Sequence, residues 1–134
     1  MIIDTSAIIA ILRNDSDAKS FAESIADAQD RRISAVSFVE SAVVIDASRD
    51  PIASRRFDDF IKVAEIVIEQ VTDTQAQIAR AAYRDFGKGS GHQAKLNFGD
   101  CFSYALAKEY GEALLFKGSD FGHTDIVAAL LADR

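Results

Sequence analysis

The chain has 134 residues, 49% of them hydrophobic, which is enough for one ordinary core and is read as a single domain over 1–134. Its formal net charge of −6 argues against a protein that grips nucleic acid by overall charge, although a local patch or bound cations can reverse the field at one site. A lone cysteine excludes a disulfide within the chain. Strand-like sequence directly from Met1, with no apolar run of about eighteen residues, leads to the expectation of a cytoplasmic protein with no membrane contact.

Met1-Ile2-Ile3 is a short apolar run broken by Asp4-Thr5-Ser6, after which Ala7, Ile8, Ile9, Ile11 and Leu12 continue as a helix. Asp15 or Ser16 caps a second helix with Ala18, Phe21, Ala22 and Ile25 at helical spacing, ending near Ala28 to Asp30. Ile33 to Val36 reads as the second strand, and Ser37-Phe38-Val39-Glu40 has the form of a capping box opening a helix to about Arg49. Asp50-Pro51 starts the next helix, with Ile52, Phe57, Phe60, Ile61 and Ala64 as its buried stripe. Ile66 to Val71 is the third strand.

Thr72-Asp73 opens a helix whose apolar face is Ala79, Ala82, Tyr83 and Phe86, with Gly87 placed to close it in a left-handed conformation. A glycine-rich loop from Lys88 to Lys95 leads to Asn97-Phe98-Gly99-Asp100, where an almost wholly apolar helix begins; it ends at Gly111. Ala113 to Phe116 is the fourth strand, Gly118 to Phe121 a turn, and Ile126 to Leu131 a last apolar segment that fits helix and strand equally. Strands alternating with helices predict an α/β fold, with a mostly parallel sheet of four or five strands and helices on both faces.

In such a sheet the carboxyl ends of the strands share one edge, where sites form. Asp4 follows the first strand, Glu40 the second and Asp120 the fourth, and Asp100 joins them if its loop crosses the same edge. Each acid alone is also explained as a helix cap. Together they are not, because carboxylates about 5 Å apart repel by roughly 3 kcal/mol per pair at an effective dielectric near 20. A fold that gathers four must protonate some or bind a cation, and an all-oxygen set suits Mg²⁺ or Mn²⁺. That is a phosphodiester-hydrolysis site in outline, with water as nucleophile.

Asp4-Thr5-Ser6 after the opening strand, Glu40 after the second, Asn97-Phe98-Gly99-Asp100-Cys101, and Phe116-Lys117-Gly118-Ser119-Asp120-Phe121 resemble, in this order and spacing, the motifs of PIN-domain ribonucleases. More narrowly they resemble the VapC toxins of bacterial type II toxin–antitoxin pairs. The resemblance covers nearly the whole chain. It implies a PIN fold and a Mg²⁺- or Mn²⁺-dependent endoribonuclease with Asp4, Glu40, Asp100 and Asp120 as the acidic set. Asp4 and Asp100 are expected as principal metal ligands, with Asn97, Ser6 and Ser119 in support. It also implies an antitoxin of the VapB type, a homodimer, and a heterotetramer or larger assembly with the antitoxin. Relatives often carry Asn or Asp where this chain has Ser119. The Ser6 hydroxyl matches the opening motif; holding Asp4 and simply starting a helix are both open to it.

RNA has to approach this negative edge, and Arg80, Arg84, Lys88, His92 and Lys95 form the basic cluster of the second half, to be weighed against an ordinary solvated helix face. His92 and His123 are not expected to be ligands, and Cys101 is expected to be a small buried residue. An Arg or Lys of the antitoxin is expected to enter the acidic cluster. Phe21, Ile25, Phe57 and Phe60 read as core first and as a partner groove second. Two rival readings remain: a phosphorylation-receiver module using Asp73 and Lys117, and a catalytically idle binding protein with the same fold.

Overall fold

The computed structural model describes residues 1–130, and its centre is the two-residue strand β1 (Ile2–Ile3), both of whose side chains are fully buried. β1 pairs in parallel with β2 (Arg32–Ser34) on one side and β4 (Leu114–Leu115) on the other, and β3 (Val67–Glu69) extends the sheet beyond β2. A further parallel bridge joins Leu114 to Ala128, with Leu114 N donating to Val127 O at 2.9 Å and Ala129 N to Leu114 O at 2.8 Å. The last apolar segment thus lines the edge of β4; Leu131, its final residue by sequence, lies outside the described residues.

Helices α1 (Thr5–Leu12), α2 (Ala18–Asp27), α3 (Ala35–Asp46), α4 (Pro51–Val63), α5 (Asp73–Phe86) and α6 (Phe98–Tyr110) follow in order. Because strand side chains alternate between faces, Ile2 and Leu114 enter one core with Ala79 and Ala82 of α5 and Tyr104 and Leu106 of α6. Ile3 and Leu115 point the other way, joining Ile8, Phe21, Ile45 and Phe57 from α1 to α4. The parallel sheet of four strands with helices on both faces is as the sequence predicts. Phe21, Ile25 and Phe57 are buried, so they are core residues and not a groove.

Several local expectations are corrected. Ser34, not Ser37, caps α3, its side chain accepting from Val36 N, so Ser37 and Glu40 lie inside the helix one turn apart and form no capping box. α2 starts after Asp17 with no side-chain cap bond. Ile52 is 71% exposed, since five residues carry it about 140° around the helix from Phe57. Gly87 is extended (φ −73°); glycine is needed there because a Cβ would stand 2.1 Å from Tyr83 O while the chain leaves α5 in strand-like pairing with Leu96. Gly111 does take the left-handed cap of α6 (φ 65°).

Candidate active site

The strand order places the carboxyl ends of β2, β1 and β4 side by side, so the residues that follow them share one edge. Asp4, next after β1, takes the middle position and is nearly fully buried. Its Oδ2 accepts from Ser6 N at 3.0 Å and from Ser6 Oγ at 2.7 Å, capping α1. Ser6 Oγ in turn accepts from Lys117 N at 2.9 Å, tying the loop after β4 to the same carboxylate.

Asp4 Oδ1 accepts from Ser103 Oγ at 2.6 Å. With its proton committed to Asp4, Ser103 accepts from Ser37 Oγ at 2.9 Å. This buried relay joins β1 to α6 and α3. Thr5 Oγ1 (3.1 Å) and Ser41 Oγ (2.8 Å) both donate to Ser37 O and fix its backbone. Three hydrogen bonds occupy most of the roughly four acceptor positions of the Asp4 carboxylate and leave room for one more partner.

Asp100 sits in the first turn of α6 in a capping box. Its Oδ2 accepts from Asn97 N at 2.9 Å, and its N donates to Asn97 Oδ1 at 2.8 Å. The structural role is therefore real, and it occupies only one carboxylate oxygen. Burial raises the Asp100 carboxyl from its ordinary 3.8 to about 7 against the lowering effect of the Asn97 backbone bond, with the charges of Asp4, Glu40 and Asp120 adding to the rise. Burial, followed by the Asp100 charge, pushes the neighbouring Cys101 thiol up to about 11, so it is an inert core residue.

Glu40 reaches the same helix end from α3. A Cβ built on Gly99 would lie 2.2 Å from Glu40 Oε2 and 2.8 Å from Oε1, so the carboxylate rests in the space that the glycine leaves beside Asp100. Asp120 is exposed on the loop after β4, its backbone carbonyl accepting from His123 N at 3.2 Å, and Ser119 beside it is exposed too. Among the described residues no Lys, Arg or His forms a salt bridge with Asp4, Glu40, Asp100 or Asp120. Nor do any three acid, His or Cys groups among them close to the spacing of a formed metal cage. A Mg²⁺ ion needs only one or two carboxylates and keeps several waters, so these two observations are compatible with a hard-cation site.

The basic cluster is divided. Arg84 pairs with its neighbour Asp85 at 2.9 Å, and His92 Nδ1 accepts from Ala94 N at 3.0 Å with its ring on the edge of Phe86. Arg80, Lys88 and Lys95 are exposed. The pair required by a receiver module does not meet, because Asp73 follows β3 and Lys117 follows β4, at opposite edges of the sheet. Lys117 Nζ is engaged by Asp15 and, at 3.6 Å, by Asp17.

Sequence reasoning missed Ser37 and Ser103. Their signal was present, since Ser37 stands three before Glu40 on α3 and Ser103 three after Asp100 on α6, a spacing that sets each serine on the same helix face as an acid.

Comparison with known proteins adds an independent observation. A family model described as PIN domain matches residues 1–127. The chain is 58% identical over 130 residues to Ribonuclease VapC28 of Mycobacterium tuberculosis, covering 97% of this chain and 98% of that protein. It is 46% identical over 131 residues to Ribonuclease VapC30 of the same species, covering 98% and 99%. Among solved structures, a toxin–antitoxin complex from Klebsiella pneumoniae superposes with a TM-score of 0.71 at 18% identity, over 96% of this chain and 97% of that one. Mycobacterium tuberculosis VapC20, described as a sarcin-ricin-loop-cleaving toxin, gives 0.70 at 18% identity over 94% and 95%. At that identity the structural likeness speaks for the fold alone.

Proposed function

The chain belongs to the PIN-domain family, with VapC ribonucleases among its relatives, and from that premise we propose that it is an endoribonuclease toxin that hydrolyses RNA phosphodiester bonds and is silenced by an antitoxin of the VapB type. The observation that carries the reading is the start of α6, where the Asp100 carboxyl is raised to about 7 by burial and then by three other carboxylates, none of them paired with a cation among the described residues. A structural cap requires one acid there and gains nothing from the rest.

In this reading Asp4 and Asp100 hold a Mg²⁺ or Mn²⁺ ion, and Glu40 and Asp120 complete the acidic set directly or through water. The ion, when bound, supplies Lewis-acid stabilisation of the phosphate and lowers the pKa of the attacking water. The chain's own part is positional. Ser6 and Ser103 clamp both oxygens of Asp4, Asn97 holds one oxygen of Asp100, and Gly99 leaves the space in which Glu40 sits. Glu40 is half-buried and can accept a proton at Oε1 or Oε2.

A toxin–antitoxin complex among the similar structures supports an antitoxin partner; that this antitoxin is of the VapB type, and that the chain forms a homodimer and larger assemblies with it, belong to the proposal. The relatives' being bacterial toxins supports action in the cytoplasm; no helix among the described residues is long and apolar enough to cross a membrane. The single domain is taken as 1–134. Incubating the purified chain with a pool of cellular RNAs, with and without Mg²⁺ or Mn²⁺, beside Asp4→Asn and Asp100→Asn, tests the reading. Metal-dependent cutting that both substitutions abolish is expected; cutting that survives both, or none by the unaltered protein, overturns it.

A further inference from the structure

Beside the acid cluster, α5 and the first turn of α6 enclose an open groove of about 410 Å³. Tyr83, Phe98 and Phe102 line it together with the exposed Arg80 and Arg84. Phe98 is 70% exposed and Tyr83 44% exposed, so two large rings are left uncovered side by side, whereas the other exposed aromatic, Tyr110, lies under the Arg32 guanidinium. Phe102 packs on Phe98 with centroids 5.0 Å apart and holds that ring in place. Phe98 directly precedes Gly99, over which the Glu40 carboxylate lies, and Asp100, so the groove and the acids share the first turn of α6.

We propose that this groove seats an unpaired base of single-stranded RNA, stacked on Phe98 and Tyr83, with Arg80 and Arg84 against the flanking phosphates. The inference rests on the nuclease reading and adds to it a base-stacking subsite outside the acid cluster. A polyanion is repelled by four carboxylates, and stacking supplies attraction that does not depend on charge. The arginines reverse the field locally on a chain of net charge −6. Arg84 shares its charge with Asp85, whereas Arg80 has no ion pair among the described residues and is the stronger phosphate partner. A duplex keeps its bases stacked on one another and offers no face to such a groove. A second copy of the chain is the competing occupant of apolar walls, but a two-fold contact here brings two Arg80 side chains together, neither with an ion pair among the described residues.

Fluorescence anisotropy with a short labelled single-stranded RNA in EDTA, where metal-dependent cutting is silent, reads binding alone. Phe98→Ala and Tyr83→Ala are each expected to weaken binding roughly tenfold, and Phe98→Trp to preserve it. Arg80→Ala is expected to reduce the slope of log affinity against log salt by about 0.7. The same RNA annealed to its complement should bind more weakly. Unchanged affinity in both alanine variants overturns the proposal. So does sedimentation showing that the variants dissociate a dimer and lose RNA only in proportion, which makes the groove a contact between copies. If the unaltered chain cuts RNA and Asp100→Asn abolishes cutting while the aromatic variants bind normally, the groove assignment falls alone; if the unaltered chain neither binds nor cuts, the nuclease reading falls with it.

Discussion

The two ends of α6 treat charge in opposite ways. At its last turn Tyr110 donates to Glu69 at 2.9 Å and lies under the Arg32 guanidinium, 4.6 Å from the ring centre. Arg32 pairs with Glu69 at 3.0 Å and with Glu112 at 3.1 Å, and Glu112 also takes the Met1 ammonium at 2.5 Å. Every acid in that group has a cation. At the first turn, three acids converge on Asp100, and none of the four has a cation partner among the described residues. A fold assembled only for stability has no reason to differ between its ends, so the contrast separates the part that holds the chain together from the part kept for a ligand.

The two ends should also respond to pH with opposite sign. Glu112 is held below the ordinary carboxylate range, with burial opposing the shift and the bonds from Met1 and Arg32 outweighing it. Its stabilisation is present above the ordinary pKa and is lost as pH falls through the lower folded value. Asp100, raised to about 7, favours the protonated form when folded; its stabilisation is full below 3.8 and is lost as pH rises to about 7.

The largest expected effect is on chemistry. Asp4→Asn and Asp100→Asn should each lower cleavage by more than about a hundredfold, with far-ultraviolet dichroism unchanged, since replacing even outer partners of a metal site costs 10- to 100-fold. At the other end Arg32→Met should leave cleavage per folded molecule intact and cost about 2 kcal/mol in urea unfolding, because Glu69 and Glu112 lose charged hydrogen bonds. Gly99→Ala should divide stability from activity. Its new methyl meets only the end of the Glu40 side chain, so the helix holds or gains a few tenths of a kcal/mol, while displacement of that carboxylate lowers cleavage roughly tenfold. Ser103→Ala removes one clamp on Asp4 and should cost about as much activity, measurable as a raised metal requirement. Ser119→Ala, on an exposed side chain, should change the cleavage rate less than about twofold.

Much of this was legible in the sequence because strand ends and helix starts carry local signals. Ile2-Ile3 followed by Asp4, and Asn97 three before Asp100, announce their own geometry through hydrophobic runs and capping chemistry. What was not legible depends on packing between distant segments. Ser37 looked like a cap because nothing local distinguishes it from Ser34; its place one turn inside α3, against Ser103, is fixed by where α6 crosses. Gly87 looked like a left-handed stop, yet it answers the carbonyl of Tyr83 and the pairing with Leu96. The exposure of Tyr83 was equally hidden, since its place on the apolar face of α5 reads as interior.

The most direct test of the central claim, that uncompensated carboxylates meet at the start of α6, is the unfolding free energy from pH 5 to pH 8, with and without Mg²⁺, for the protein and for Asp100→Asn. The unaltered protein should lose stability relative to the variant as pH rises from 5 toward 7, by up to about 2.5 kcal/mol, and recover it when Mg²⁺ is added, while the variant shows neither effect. Parallel pH profiles for the two proteins, together with an equal response to Mg²⁺, would contradict the account.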